Sequence, residues 1–332
     1  MIRLVVCGGL RIDYLITVEG QARLAEIGGN AVYAAGGARV WVDHVGIVAR
    51  AGTNYPKTWL TKLEVHGIDT SGVRYLTDPQ DMRTFYAYID THTRVDTEPA
   101  RHFARIGLQM PAELEGYMHS TLGQDNLETY ESLGVRPEDW PRAYAKAKAV
   151  HLAPMGIRTH AQLPRYLHEI GVEVITLDPG ERYMLPHLLT AVSTILSEVD
   201  IFLPSDQEVR SLLGSIDLLE AAKHFAACGP RVVVIKVGSD GALVYERDTN
   251  QCWHVPAFPA CVVDVTGAGD TFCGGFLAGY IKSGDPIKAA LQGAVAASFS
   301  IEDYSSLNPF LASVENIKTR LDTLTQRVTR IA

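Results

Sequence analysis

Short runs of apolar, β-rich residues alternate along this chain with segments whose apolar positions recur every three or four residues. The runs predict strands at 3–7, 44–48, 84–90, 149–153, 172–178, 200–203 and 232–237. Helical periodicity is read at 141–148, 161–170 and 218–228. Near-continuous apolar strands such as Val-Val-Val-Ile at 232–235 suit burial on both faces, as in a parallel sheet. Strand and helix in alternation therefore predict an α/β sandwich. A last helix over about 313–328 places Val314, Ile317, Leu321, Leu324 and Val328 on one face and is expected to close the domain. The stretch 91–137 is polar and irregular and predicts no element. No internal repeat or low-complexity linker breaks the chain.

The segment 264–280 carries the most chemistry. It reads Asp-Val-Thr-Gly-Ala-Gly-Asp-Thr-Phe-Cys-Gly-Gly-Phe-Leu-Ala-Gly-Tyr, after a short strand candidate at 261–263. Phe272, Phe276 and Tyr280 recur every fourth residue, so a helix follows the glycine turn. Unpaired amides at a helix start, with the helix dipole behind them, favour an anion. Asp270 is out of place in a plain anion nest, because a carboxylate repels phosphate. Its natural use is to accept a proton from an attacking hydroxyl. Gly274, Gly275 and Gly279 each cost about 1 kcal/mol of helix propensity, so a neighbouring helix or a nucleotide is expected to approach this helix closely.

Composition narrows the class. The 332 residues are 47% hydrophobic, enough for a large core in one α/β unit. The net charge of −8 comes without a basic block, which argues against nucleic acid. No apolar run approaches the ~20 residues that span a bilayer, and the opening segment reads as a strand and turn rather than a secretory leader. Five scattered cysteines, with no C-x-x-C pair, point to a reducing, cytoplasmic setting rather than to disulfides or zinc.

The string at 264–275 resembles the C-terminal signature of the ribokinase-like (PfkB) carbohydrate kinase family, D-[ST/V]-x-G-A-G-D followed by a small-residue helix. Asp264, Thr266, Gly267, Ala268, Gly269, Asp270, Gly274 and Gly275 fall on it. The resemblance implies a three-layer αβα sandwich with a mostly parallel central sheet, in a single domain over 1–332. It also implies a small β-sheet lid formed by excursions at about 15–27 and 85–115. In several family members the lid is a dimer interface, so a homodimer through it is an expected assembly.

Other landmarks match in part. After the first strand, Asp13 stands where the family has a carboxylate that binds substrate hydroxyls; being acceptor-only, it suits a polyol. Gly28, Gly29 and Asn30 open a small-residue helix similar to the family's G-G-x-x-x-N. Aligned without a gap, Tyr33 takes the substrate-Asn slot; with a gap, Asn30 does. Tyr33 would suit stacking on a base or sugar face. At 205–208, Ser-Asp-Gln-Glu resembles N-x-x-E with Ser205 in place of Asn, which gives Glu208 a role toward Mg²⁺ through water. Lys236, Gly238, Ser239 and Gly241 resemble the T-x-G-x-x-G nucleotide loop, and 178–182 echoes D-P-N-x-R. The family's G-x-D-x-x-G appears only as Gly52-Thr53-Asn54, without the Asp.

These residues together imply a Mg-ATP-dependent kinase acting on a hydroxyl of a small polyol, sugar or sugar-like substrate. Asp270 is the expected general base, and the amides of Gly267, Ala268 and Gly269 the expected stabilisers of the phosphoryl group. Asp264 and Thr266 are candidates for a monovalent-cation site, K⁺ in some relatives. A nucleoside kinase of the same family is the alternative, and a noncatalytic nucleotide- or sugar-binding regulator is a weaker one. A dinucleotide oxidoreductase is disfavoured, since no G-x-G-x-x-G follows the first strand.

Overall fold

Four consecutive apolar residues near the start form β1 (Leu4–Cys7), and all four are buried. The computed structural model describes residues 2–90 and 93–332. The chain continues through β2 (Arg11–Ile16), β3 (Ala22–Gly28), α1 (Asn30–Arg39), β4 (Val45–Ala51), α2 (Lys57–Val65) and β5 (Ile68–Tyr75). Then come β6 (Arg83–Tyr88), β7 (Arg94–Val95) and α3 (Pro99–Arg105), followed by an irregular passage with short 3₁₀ turns. The regular alternation resumes with β8 (Ala149–Leu152), α4 (Ile157–Glu169), β9 (Val174–Leu177), α5 (Leu189–Leu196), β10 (Ile201–Phe202), α6 (Asp206–Leu213) and α7 (Leu218–Cys228). The chain closes with β11 (Val232–Lys236), β12 (Ala242–Glu246), β13 (Gln251–Val255), α8 (Ala268–Ser283), α9 (Pro286–Ser300), α10 (Val314–Thr325) and β14 (Thr329–Arg330).

Ten strands form one sheet in the order β14-β13-β12-β11-β10-β9-β8-β1-β4-β5. Pairing is parallel from β11 to β5, with Val5 of β1 opposite Gly46 on one side and Val150 on the other. β12, β13 and β14 join antiparallel. Because successive side chains point to opposite faces, each central strand feeds two cores. Val5, Val150, Ile175 and Val233 pack under α4 to α7, with Leu163, Val209 and Phe225. Their neighbours Leu4 and Val6 pack with α1 and α2, and Val232 and Val234 pack with α8 and α9. The architecture is the ribokinase-like three-layer αβα sandwich.

A second sheet, in the order β3-β2-β6-β7, stands apart from the first. β2 and β6 pair in parallel, while β3 and β7 add antiparallel at the edges. Its own small core joins Tyr14, Ile16 and Phe85 to Phe103 of α3, Leu114 and Tyr117. It is built from residues 11–28 and 83–95, so its strands begin a few residues earlier than the two excursions expected from sequence. Residues 91–92 of the second excursion lie outside the described residues. Among the described residues, no helix is long and apolar enough to cross a membrane.

Several expectations are corrected. Residues 141–148 do not form a helix; only Arg142–Tyr144 makes a 3₁₀ turn. Tyr144 is buried there, and Lys148 N–H must already bond Arg3 O to start β8, which leaves no room for a second helical turn. Residues 261–263 are not a strand but an exposed loop, held by Val263 N–H donating to Ile301 O. In α10, Leu324 is buried, whereas Val314 at the start of the expected apolar face is 83% exposed.

The glycines of α8 admit neighbouring helices. A Cβ on Gly274 would lie 1.7 Å from Ala34 O, and one on Gly37 would lie 1.9 Å from Thr271 O, so α1 and α8 touch backbone to backbone. Gly275 and Gly279 admit α9 in the same way. Gly274→Ala is expected to lower the unfolding free energy by about 1–3 kcal/mol through overpacking, although propensity alone would raise it by about 1 kcal/mol. Urea denaturation checks the sign, and a variant as stable as the parent would overturn this account of the helix contact.

Candidate active site

The chain leaves β1 toward β4 and β5 on one side of the sheet, then returns to add β8 to β11 on the other. Beyond the carboxyl ends of strands at such a reversal, an open crevice remains. Here it is a cleft of about 200 Å³. Gly9 reaches it from the end of β1, Pro154 and Met155 from the end of β8, and Gly180 and Glu181 from beyond β9. The small sheet covers it with Asp13, Thr84, Tyr86 and Arg94, and the start of α8 closes it with Thr266, Gly267 and Asp270.

Gly267 precedes α8 in the left-handed conformation, with φ of 72°. A Cβ there would collide with the ring of Tyr33 at 2.2 Å, so the buried tyrosine packs flat on the glycine turn. Among the three amides expected to face an anion, that of Ala268 is engaged, donating to Val265 O at 3.2 Å. The amides of Gly267 and Gly269 have no hydrogen-bond acceptor among the described residues, while that of Asp270 bonds its own carboxylate. Two of the three expected amides, those of Gly267 and Gly269, are thus free. Asp270 lies in the first turn of α8, partly buried, with its own backbone amide beside the carboxylate. Burial, reinforced by the nearby Asp178, pushes its pKa up to about 7, against the pull of Lys236 and Arg94.

Asp13 lies within β2, opposite Glu26 and Thr84. It is 3% exposed and packs on Gly28, where a Cβ would stand 1.8 Å from Oδ2. Its carboxylate has no hydrogen-bond or ion-pair partner among the described residues. Burial raises its pKa to about 7; Arg11 and Arg94 counteract this, and Asp264 and Asp270 add to it.

Asn30 and Tyr33 both line the cleft, with Gly29 beside them. Asn30 also ties two loops together, accepting from Gly9 N–H at 2.7 Å through Oδ1 and donating to Pro154 O at 2.6 Å through Nδ2. Glu208 shares the same cleft while serving its own helix. It accepts from Ser205 N–H at 2.7 Å in a reciprocal cap at the start of α6, which accounts for Ser205 in that position. Burial and Asp178 push its pKa up to about 7, with Lys236 opposing.

Lys236 turns inward from the end of β11. Its Nζ donates to Asp178 Oδ2 at 2.5 Å and sits 3.5 Å from Cys273 Sγ, one turn along α8 from Asp270. Burial alone would lower the Lys236 pKa, but Asp178 and the neighbouring Cys273 and Glu208 hold it raised. Asp178 Oδ1 is buried with no partner among the described residues. Gly238 and Ser239 belong to the exposed 3₁₀ turn of the β11–β12 hairpin, where Gly238 and Gly241 take φ of 53° and 94°. Asp264 is engaged within its own loop, accepting from Thr266 N–H at 2.9 Å and Thr266 Oγ1–H at 2.7 Å, and Thr266 Oγ1 also meets the Tyr88 hydroxyl.

Sequence reasoning missed the pairing of Lys236 with Asp178, although a lysine ending the run Val-Val-Val-Ile calls for a buried partner. It also missed Arg94, whose guanidinium lies 4.2 Å from the Tyr86 ring centre at the cleft, and Gln124 and Glu131 from the illegible stretch. No motif marks these three. Among the described residues, no three His, Cys, Asp or Glu side chains converge closely enough to ligate a metal directly.

Known proteins resemble this chain. A cytidine kinase of Thermococcus kodakarensis is 29% identical over 294 residues, covering 88% of this chain and 93% of the relative. An ATP-dependent ribose-1-phosphate kinase of Halopiger xanaduensis is 29% identical over 289 residues, covering 85% and 84%. A putative ribokinase II from E. coli, solved in complex with ATP and Mg²⁺, superposes with a TM-score of 0.72 over 97% of this chain and 100% of that one. At 17% identity, that likeness is one of fold. The pattern of the pfkB family carbohydrate kinases matches residues 145–312, just over half of the chain. The chain therefore belongs to the pfkB carbohydrate kinase family, whose members transfer a phosphoryl group to a hydroxyl.

Proposed function

We propose that the cleft transfers the γ-phosphoryl group of Mg-ATP to a hydroxyl of a pentose-bearing small molecule, with Asp270 as general base. The observation that carries this reading is the juxtaposition of two carboxylates, Asp13 and Asp270, both raised to about 7, in the one cleft that Gly267 at the start of α8 also lines. The amides of Gly267 and Gly269, with the dipole of α8 behind them, stabilise negative charge on the transferred group. Asp270 takes the proton of the attacking hydroxyl. Asp13 accepts hydrogen bonds from acceptor hydroxyls and fixes the attacking oxygen, so the protein contributes mainly position and field. The two relatives support a pentose, since cytidine and ribose 1-phosphate both contain ribose.

Glu208, Asp178 and Asp270 place three carboxylates around the single ammonium of Lys236, and Asp178 Oδ1 is left unpaired. This excess negative charge suits a divalent cation brought in on phosphates, and Mg²⁺ binds in this way, through substrate oxygens and water. When bound, Mg²⁺ would neutralise phosphate charge, with Glu208 holding its water shell. The exposed turn Gly238–Asp240, with Gly241, is assigned to the nucleotide. A K⁺ ion beside Asp264 belongs to the same proposal, supported by a cleft of about 40 Å³ between Thr17, Glu19 and Asp264. The small sheet acts as a lid that excludes water from the transfer.

A base must be ionised to act. With Asp270 raised to about 7, its ionised fraction grows as pH rises, so kcat/KM is expected to climb through about pH 7 and flatten above it. Asp270→Asn should lower kcat at least ~10²-fold while ATP still binds; near-normal turnover, or activity falling between pH 6 and 8 in the parent, would reject the assignment.

Asp13→Ala leaves acceptor hydroxyls unpaired at about 1–3 kcal/mol, so the acceptor KM should rise about five- to a hundredfold with the KM for ATP unchanged. Steady-state kinetics with each substrate varied decides this. A shift in the KM for ATP instead would reverse the proposed orientation of the site.

A further inference from the structure

Five residues lining the cleft, Ser120, Thr121, Gln124, Glu131 and Leu133, come from the irregular passage before β8, upstream of the segment that matches the family pattern. That passage is fixed where it meets the cleft. The first amides of a helix have no partners within it, and here the passage supplies them. Gly156 N–H donates to Glu131 Oε1 at 2.7 Å, and Ile157 N–H donates to Gln124 O at 2.8 Å, both at the start of α4. Arg182 Nε–H donates to Thr121 Oγ1 at 3.0 Å, and Arg11 holds Ser120 O at 3.0 Å. The Glu131 carboxylate is wedged against Gly156, where a Cβ would lie 2.1 Å from Oε2.

Two polar groups remain unspent. Gln124 is 7% exposed and lines the cleft, yet its carboxamide has no hydrogen-bond partner among the described residues. Glu131 Oε2 is buried without one. Enclosed polar groups without partners are costly, so a ligand that pairs the Gln124 carboxamide, and toward which the Glu131 carboxylate turns from Gly156, gains affinity. Around them, Leu133 and Met155 give apolar walls and Tyr86 an aromatic one, surfaces that suit a flat ring better than sugar hydroxyls.

We propose that Gln124 and Glu131 read the edge of an amino-bearing heterocycle carried on the acceptor sugar, so that the preferred acceptor is an aminopyrimidine or aminopurine nucleoside. This rests on the phosphotransfer reading of the same cleft. A carboxamide offers a donor and an acceptor in one plane, which matches an exocyclic amino group beside a ring nitrogen. A carboxylate accepts the second amino hydrogen; these are the pairings that glutamine makes with adenine and glutamate with cytosine. A ring carbonyl in the amino position would set its lone pairs against the carboxylate. A sugar phosphate would bring its negative charge toward Glu131.

The test uses the full chain with Mg-ATP, following ADP release with cytidine, uridine, adenosine, inosine, ribose and ribose 1-phosphate. The expected ranking places cytidine over uridine, or adenosine over inosine, by about tenfold or more in kcat/KM, with ribose and ribose 1-phosphate below the favoured nucleoside. Gln124→Leu, which keeps the volume, should raise the KM of that nucleoside about tenfold and level the amino-over-oxo preference, without changing the KM for ATP. Calorimetric binding of the same compounds without ATP separates two failures. Amino-selective binding with no ADP release from any acceptor would reject the phosphotransfer reading and keep the reader. Turnover in which ribose, ribose 1-phosphate or an oxo nucleoside equals the amino nucleosides would overturn the reader and keep phosphotransfer. A Gln124→Leu enzyme with the parent's ranking would overturn it as well, and if that variant does not fold, the parent's ranking decides.

Discussion

The backbone contact between α1 and α8 is the constraint on which the cleft depends. Gly274 meets Ala34 and Gly37 meets Thr271 with no room for a Cβ on either glycine. That approach brings the start of α8, with its free amides and Asp270, alongside Asn30 and Tyr33 of α1. Tyr33 completes the joint by lying on Gly267, whose lack of a side chain and positive φ both serve the contact. Four glycines in α8 would weaken an isolated helix; here α1 and α9 cover it, and packing replaces propensity as the source of its order.

The electrostatics follow from the same crowding. Asp13, Asp270 and Glu208 each sit at about 7 because they are withdrawn from water and near other carboxylates, while Lys236 is committed to Asp178. Such a site has more negative charge than its protein cations balance. In the proposed phosphotransfer, the free amides of α8 and a cation carried on the phosphates would supply what is missing. A carboxylate near 7 is also a better proton acceptor for an alcohol than an ordinary one, so the burial that raises Asp270 suits it to the base role proposed for it.

Much of the layered fold was legible because buried strands have few sequence solutions. The run 232–235 is buried on both faces as its composition demanded, and 218–228 forms a helix with the expected bounds. Short edge and hairpin strands escaped notice. β5 alternates buried and exposed residues around Ser71 and Gly72, and β12 and β13 join the sheet only through antiparallel neighbours. The segment 141–148 looked helical because its apolar spacing fitted, but the start of β8 cut it short.

The sequence by itself determined the α/β class, the glycine turn before α8 and the identity of Asp270 and Asp13 as candidate site residues. Asp13 came from the family resemblance, and the rest from local chemistry: apolar runs need burial, glycines permit particular turns, and a carboxylate beside an anion nest needs a reason. Only the tertiary structure decided that Asp13 reaches the cleft from a strand of the small sheet, that Asn30 and Tyr33 both border it, and that Lys236 answers Asp178 across 58 positions of chain. It also brought Gln124 and Glu131 to the cleft from a stretch with no periodicity, because the unpaired amides at the start of α4 bind that stretch in place. Hydrogen bonds between distant segments leave no local pattern, so those residues become visible only once the chain has folded.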